Sequence, residues 1–114
     1  MKNTIPKIFI SLLFTLIYNI GFSQTNAEMK EQSSNRLKKF DKELNFVYQK
    51  IMKSSSGKRK ENIKKAQIAW LKFRDLNCEC ESKEHEGGSL ESLIYIECLA
   101  VMTEERVKEL KRFL

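Results

Sequence analysis

The sequence predicts an all-α protein on the basis of three observations. Apolar residues recur at steps of three and four along most of the chain, as on one face of a helix. No segment alternates apolar and polar residues with the two-residue period of a strand over more than a few positions. The one proline is Pro6, so none interrupts the later helices. With 114 residues, 41% apolar and 32% charged, the chain forms at most one small domain and cannot be a multidomain enzyme.

The first 23 residues are typical of a signal peptide. A short basic start ends at Lys7, an uncharged run covers residues 8–20, and Gly21 and Ser23 put small residues at the two positions that signal peptidase recognises. The uncharged run of 13 residues is shorter than the ~20 needed to cross a bilayer. We therefore expect cleavage after Ser23 and a periplasmic or secreted domain over residues 24–114, with membrane contact only through the transient signal peptide.

The net charge of the chain says little about its partners. Removal of residues 1–23, which contain only Lys2 and Lys7, leaves 19 basic and 15 acidic residues and a net charge of +4. Lysines and acids interleave along the whole chain, whereas a nucleic-acid-binding protein usually concentrates its cations on one face or in one arm. We expect no nucleic-acid partner.

The first helix of the domain is predicted from a stripe of apolar residues. The stripe leaves the charged residues on the other faces, and its members are Leu37, Phe40, Leu44, Val47, Tyr48 and Ile51. This helix is expected to begin between Ala27 and Leu37. It ends at residues 54–57, three serines and a glycine that favour a turn.

A second helix follows this turn and ends near residues 80–82. Its inward-facing residues are predicted to be Ile63, Ala66, Trp70, Phe73 and Leu76 or Asn77. The polar loop 81–89 comes next. Gly87 and Gly88 can take positive φ values there at no steric cost, and Ser89 is expected to cap the following helix with its hydroxyl.

The third helix is predicted to begin at Leu90. Thr103 either continues it or starts a fourth helix, because threonine is a good N-cap when acids follow it, and we favour a bend there. Short loops join neighbouring helices, so we expect a small antiparallel bundle of three to four helices, with a disulfide stabilising so small a core. The inward-facing residues of the third helix are predicted to be Leu90, Leu93, Ile94, Cys98, Leu99, Val101 and Met102.

The cysteines Cys78, Cys80 and Cys98 predict one disulfide and one free thiol in an oxidising compartment. Cys98 lies roughly 12 Å into the third helix, and a loop over residues 81–89 is long enough to bring Cys78 beside it. Cys80 lies about 200° around the helix from Cys78. Only one of the two can therefore face the third helix, unless the second helix has already ended, and a bond between Cys78 and Cys98 is feasible.

Nothing in the sequence indicates catalysis, a metal or a cofactor. The three cysteines and His85 lack the spacing of a zinc site. His85 lies between two glutamates in a loop, where a solvated side chain is the expected state, and no nucleophile accompanies it. We therefore expect no enzyme activity, no catalytic or metal-binding residue and no cofactor.

Trp70 and Arg74 are one helical turn apart. The guanidinium group can stack on the indole ring or pair with an acid of a neighbouring helix, which would make the pair structural. Alternatively, the two residues belong to a partner-binding surface, where tryptophan and arginine are common.

Several segments together resemble the LprI-like lysozyme inhibitor family, over about residues 28–112. The family's pattern QxAWxxFRDxxC matches residues 67–78, and the elements GGS, C and TxxR follow in the same order. Residues 41–48 are also similar to the family's first helix. The resemblance implies a helical, exported protein, and the family is named for a member that inhibits lysozyme, while most members have no assigned activity. The elements after Cys78 are Gly87-Gly88-Ser89, Cys98 and Thr103 with Arg106.

One departure from the family concerns the cysteines. Family members commonly have one or two cysteines near the start of the domain, and residues 28–33 of this chain contain none. If those cysteines pair with each other, their absence leaves a Cys78–Cys98 bond intact; if they pair with the later ones, the pattern here differs. Cys80 is additional to the family's motif, so we expect it to be the free thiol and Cys78 and Cys98 to be bonded.

Two functions follow from the resemblance. The first is binding and inhibition of a lysozyme in the cell envelope, and the alternative is an envelope structural or interaction module with no enzyme target. A net charge of +4 opposes attraction to a cationic lysozyme, but four glutamates between positions 79 and 86 make the loop region locally acidic. The candidate partner-binding residues are Glu84, Glu86, Gly87 and Gly88 of the loop, with Trp70 and Arg74 of the preceding helix.

Overall fold

A computed structural model describes the backbone of residues 5–114 and the side chains of residues 25–114. Three helices form this part of the chain, α1 (Ile5–Ser54), α2 (Gly57–Lys83) and α3 (Leu90–Lys111), and the described residues contain no strand. The all-α class predicted from the sequence is confirmed. The predicted signal peptide over residues 1–23 lies outside the described side chains, and its cleavage after Ser23 stays a prediction.

Two helix boundaries differ from those predicted. The helix α1 begins at Ile5 and not between Ala27 and Leu37, and no proline between residues 7 and 37 interrupts it. The helix α3 runs unbroken through Thr103. The predicted bend there is wrong, and the described residues form three helices where three to four were expected.

Thr103 continues α3 because its hydroxyl is satisfied within the bundle. Its Oγ1 donates to the carbonyl oxygen of Leu99 over 2.6 Å, a bond to the preceding turn that threonine can make inside a helix. The same oxygen accepts a hydrogen bond from Arg74 over 3.1 Å. Thr103 is fully buried, so it occupies a packing position and not a cap.

The helix α3 contacts both other helices. Residue numbers rise together in the pairs that join α1 to α3, and they change in opposite directions in the pairs that join α2 to α3. The first set is Ser33 with Glu97, Arg36 with Glu104, and Glu43 with Lys111. The second set is Arg59 with Phe113, Gln67 with Arg106, and Arg74 with Thr103.

The core consists of two apolar clusters. The larger lies near the turn between α1 and α2, and the smaller surrounds the cysteines of α2 and α3. The larger cluster contains Leu44, Val47, Ile51, Ile63, Val107 and Leu110, with Tyr48, Met52 and Trp70 packed against it. The smaller contains Cys78, Cys98 and Leu99, with Leu37, Tyr95 and Met102 against it.

The inward face of α2 is more polar than the sequence predicts. Phe73 and Leu76 are 60% and 53% exposed, and Ala66 is also exposed. Gln67 is buried instead, and only 13% of the Arg74 side chain is exposed. Both polar side chains hydrogen-bond to α3. Polar groups can occupy the interior when they have hydrogen-bond partners there. In α3, predicted inward residues Leu90 and Val101 are likewise exposed.

Arg36 links α1 to α3 through two carboxylates. It donates hydrogen bonds to Glu97 over 2.8 Å and to Glu104. The hydrogen bond from Arg36 to Glu104 holds the pKa of the Glu104 carboxyl below its ordinary value of 4.5. A carboxyl whose folded-state pKa is lowered stabilises the fold above its unfolded-state pKa. That stabilisation is lost as the pH falls through the folded-state value.

We therefore expect Glu104→Gln to lower the melting temperature at pH 7, and the difference from the unmodified protein to shrink as the pH falls below about 4.5. Thermal unfolding followed by circular dichroism between pH 7 and pH 3 measures this. Glu105→Gln is the matched control, because Glu105 is exposed and contacts only Lys108. Identical pH profiles for the two variants would contradict the assignment.

Candidate functional site

The connection between α2 and α3 forms one end of the domain. It covers residues 84–89, not 81–89 as predicted, because α2 continues to Lys83. Ser82 is buried, and its hydroxyl donates to the carbonyl oxygen of Glu79 over 3.1 Å. Glu81 therefore projects from a helix, and the loop proper begins with Glu84.

The backbone of this loop folds into consecutive turns. The amide of His85 donates to Ser82 over 3.0 Å, and the amide of Gly88 donates to His85 over 3.2 Å. Gly87 has a φ of +80°, which residues with a Cβ rarely adopt. The expectation of positive φ holds for Gly87 and not for Gly88.

The start of α3 is not capped as predicted. Ser89 has helical dihedrals and its side chain makes no capping hydrogen bond, whereas a capping hydroxyl requires an extended residue. The Glu91 carboxylate accepts a hydrogen bond from the amide of Gly87 over 3.3 Å instead. This contact ties the loop to the first turn of α3, where the helix dipole also favours a negative charge.

The loop and the helix ends beside it are strongly acidic. Lys83 is the single base between positions 79 and 91, so this segment has a net charge of −4. A shallow groove of about 520 Å³ runs along it between α2 and α3. We call this surface the acidic loop end and define it by Glu79, Glu81, Glu84, Glu86 and Glu91.

The other end of α2 carries the opposite charge. Residues 50–65 contain seven bases and one acid, and we call this segment the lysine-rich turn. The 27 residues of α2 separate the two ends by about 40 Å. The expectation that lysines and acids interleave along the whole chain is therefore wrong for these two segments, and the small net charge conceals a segregated distribution.

A disulfide anchors the base of the acidic loop end. It joins Cys78 to Cys98 with a Cα–Cα distance of 5.5 Å, the pairing expected from the sequence, and both residues are buried. Cys80 is free and exposed. Among the described residues, no group of three or more histidines, cysteines and acids is placed to hold a metal ion, and no helix is long and apolar enough to span a membrane.

The ring of Trp70, a residue of α2, lies beneath two guanidinium groups, one from α2 and one from α3. The Cζ atoms of Arg74 and Arg106 are 5.3 Å and 5.6 Å from the centre of its ring, within range of cation–π attraction. Arg74 also pairs with Asp75 over 2.8 Å and faces Asp41 of α1 over 3.6 Å. Trp70 packs against the larger apolar cluster, so this pair lies within the packing between helices.

Gln67 and Arg106 complete the same arrangement. The Nε of Arg106 donates to Oε1 of Gln67 over 3.0 Å. The sequence argument singled out Trp70 and Arg74 but gave no role to Gln67 or Arg106. The signal that identifies Gln67 is the spacing of positions 67, 70, 74 and 78, which places these residues on one face of α2.

The structure does not bring Trp70 and Arg74 together with the loop residues. Glu84 lies ten residues beyond Arg74 along α2, about 15 Å at the helical rise. The six candidate residues therefore fall into two groups, an interhelical packing pair and an exposed loop.

These features define a small three-helix domain joined by one disulfide and one interhelical arginine–tryptophan cluster, with an acidic loop at one end. A family model described as lysozyme inhibitor LprI matches residues 21–110, and the chain belongs to this family. The disulfide is consistent with an oxidising compartment.

One relative is an uncharacterized protein of Rhizobium meliloti (strain 1021). It is 34% identical over 87 residues, which cover 65% of this chain and 63% of the relative. The chain thus matches somewhat less than two thirds of that protein's length. No solved structure matches the chain.

Proposed function

We propose that this protein is exported by a cleaved signal peptide and inhibits a lysozyme in the cell envelope through the acidic loop end. Membership of the LprI family supports the class of target. The observation that carries the choice of surface is the charge of −4 on one largely exposed segment of a chain whose net charge is positive. An acidic surface accelerates association with a cationic enzyme.

The geometry of the loop supports this choice. The side chain of Glu86 is 70% exposed, and Glu84 is exposed as well. Turn hydrogen bonds, the Glu91 contact and the nearby disulfide hold the loop in one shape. A preorganised loop loses little conformational entropy on binding, and a short protruding segment fits a sugar-binding cleft better than a broad helix face does.

We expect the double variant Glu84→Lys and Glu86→Lys to associate with a cationic lysozyme about tenfold more slowly at low salt. The salt dependence of association should weaken or reverse. The fold should be unaffected, because exposed loop charges contribute little to stability. Stopped-flow binding at two ionic strengths and lysozyme turbidity assays measure these effects.

The matched control is Glu28→Lys with Glu31→Lys, which changes the net charge equally at exposed positions of α1. Equal slowing by both double variants would assign the effect to overall charge and contradict a binding role for the loop. If the unmodified protein leaves lysozyme activity unchanged at a large molar excess, the inhibitor proposal is wrong.

The alternative function is an envelope interaction module with no enzyme target. A groove of about 740 Å³ between α1 and α3 favours it, because apolar side chains line much of its wall. The lysozyme activity assay above separates the two functions, since a module of this kind leaves the enzyme unaffected. The apolar lining residues include Met29, Leu90, Leu93, Val101 and Met102.

A further inference from the structure

An exposed stripe of α2 has the spacing of a coiled-coil seam. Its residues recur at steps of three, four, three and four, which places them on one line along a helix. All five are exposed although none is charged, and Phe73 is 60% and Leu76 53% exposed. We call this stripe the α2 seam and define it by Ala66, Ala69, Phe73, Leu76 and Cys80.

Two opposite charges flank the α2 seam on its outer edge. Lys72 and Glu79 are seven residues apart, each immediately before a seam residue, and both are exposed. Neither side chain forms an ion pair with another described residue. A second α2 helix that runs in the opposite direction brings each Lys72 beside the other copy's Glu79.

We propose that the α2 seam binds a second copy of this chain in an antiparallel, two-fold symmetric arrangement. In the register that packs Phe73 against Leu76 of the second copy, Ala69 packs against Cys80. The same register pairs Lys72 with Glu79 twice, once on each side of the two-fold axis. The apolar contacts and the charges thus select one register.

The distribution of charge along α2 favours this direction over a parallel one. Parallel copies place two acidic loop ends side by side and two lysine-rich turns side by side, whereas antiparallel copies alternate them. The seam covers only about two heptads, so the contact belongs with small, transient interfaces. We expect monomers at low micromolar concentration and dimers at several hundred micromolar.

Cysteine crosslinking tests the register. Ala69→Cys introduces a thiol that faces Cys80 of the second copy, and oxidation with glutathione disulfide should join them into a covalent dimer on a non-reducing gel. The unmodified chain should give no covalent dimer on the same gel, because its two Cys80 thiols are 11 residues apart along the seam, about 16 Å. Dominant Cys80–Cys80 crosslinking in the unmodified chain would overturn the antiparallel arrangement.

Ile68→Cys is the matched control for the crosslink. Ile68 is the adjacent residue and is 59% exposed, but it lies about 100° around the helix from Ala69 and outside the seam. It should give no covalent dimer under the same oxidation. Equal crosslinking of both variants would show random collision and overturn the proposal.

A charge swap tests the pairing independently of the thiols. Lys72→Glu alone and Glu79→Lys alone should each weaken dimerisation about tenfold. Each substitution turns the two attractive Lys72–Glu79 pairs of the dimer into two pairs of like charges that repel. The double variant restores both pairs and should dimerise as the unmodified chain does, as measured by sedimentation equilibrium. A double variant no better than either single variant would overturn the proposal. None of these measurements involves a lysozyme, so their outcome is independent of the proposed function.

Discussion

Reduction of the Cys78–Cys98 disulfide is expected to lower the free energy of unfolding by about 3 kcal/mol. The bond closes a loop of 20 residues, and opening such a loop restores that much chain entropy to the unfolded state. A domain of this size has a total stability of roughly 5 kcal/mol. Urea unfolding with and without reductant should therefore show most of the stability lost.

The double variant Cys78→Ala with Cys98→Ala should reproduce this loss without reductant. Cys80→Ala is the matched control, because Cys80 is exposed and unbonded, and its stability should remain fully sensitive to reductant. If Cys80→Ala abolished the effect of reductant, the assignment of the disulfide would be wrong.

Trp70→Ala is expected to cost about 3 kcal/mol of stability, at the lower end of the range for core tryptophans because Trp70 is only half-buried. The indole ring packs against the larger apolar cluster and supports the guanidinium groups of Arg74 and Arg106. Its removal leaves a cavity and two arginines without their aromatic partner. Urea unfolding followed by circular dichroism measures the change.

Phe46→Ala is the matched aromatic control for this prediction. Phe46 is 68% exposed on α1, so its truncation should change the stability by about 0.5 kcal/mol or less. A Trp70→Ala protein as stable as the unmodified chain, but unable to bind its target, would instead make Trp70 a partner-binding residue.

The periodicity of apolar residues predicted much of the fold. In α1, the stripe that includes Leu44, Val47 and Ile51 is buried as expected, because a helix that packs on a neighbour needs an apolar face. In α2 the same reasoning failed at Phe73, and of the two alternatives Leu76 and Asn77 it is Asn77 that faces α3. Gln67 and Arg74 lie inward there because α3 supplies their hydrogen-bond partners, and a pattern of apolar residues along one helix does not reveal the polar groups of another.

Single-residue details of the candidate site were harder to predict than its location. The clustering of Glu84 and Glu86 in a loop is visible in the sequence, and both are exposed in the structure. Thr103 and Ser89 can each hydrogen-bond in more than one way, and the dihedrals that decide between a cap and a helical position depend on tertiary packing. The sequence therefore located the loop but not the contacts that hold it.

The lysine-rich turn and the acidic loop end make the domain an electric dipole along α2. Near an anionic membrane or cell-wall polymer, such a dipole turns its positive end toward the surface and its negative end outward. Glu84 and Glu86 then lie on the side away from that surface, the side that the proposed function leaves free for a cationic enzyme. Charge segregation along one helix thus gives the molecule a preferred orientation at a charged boundary.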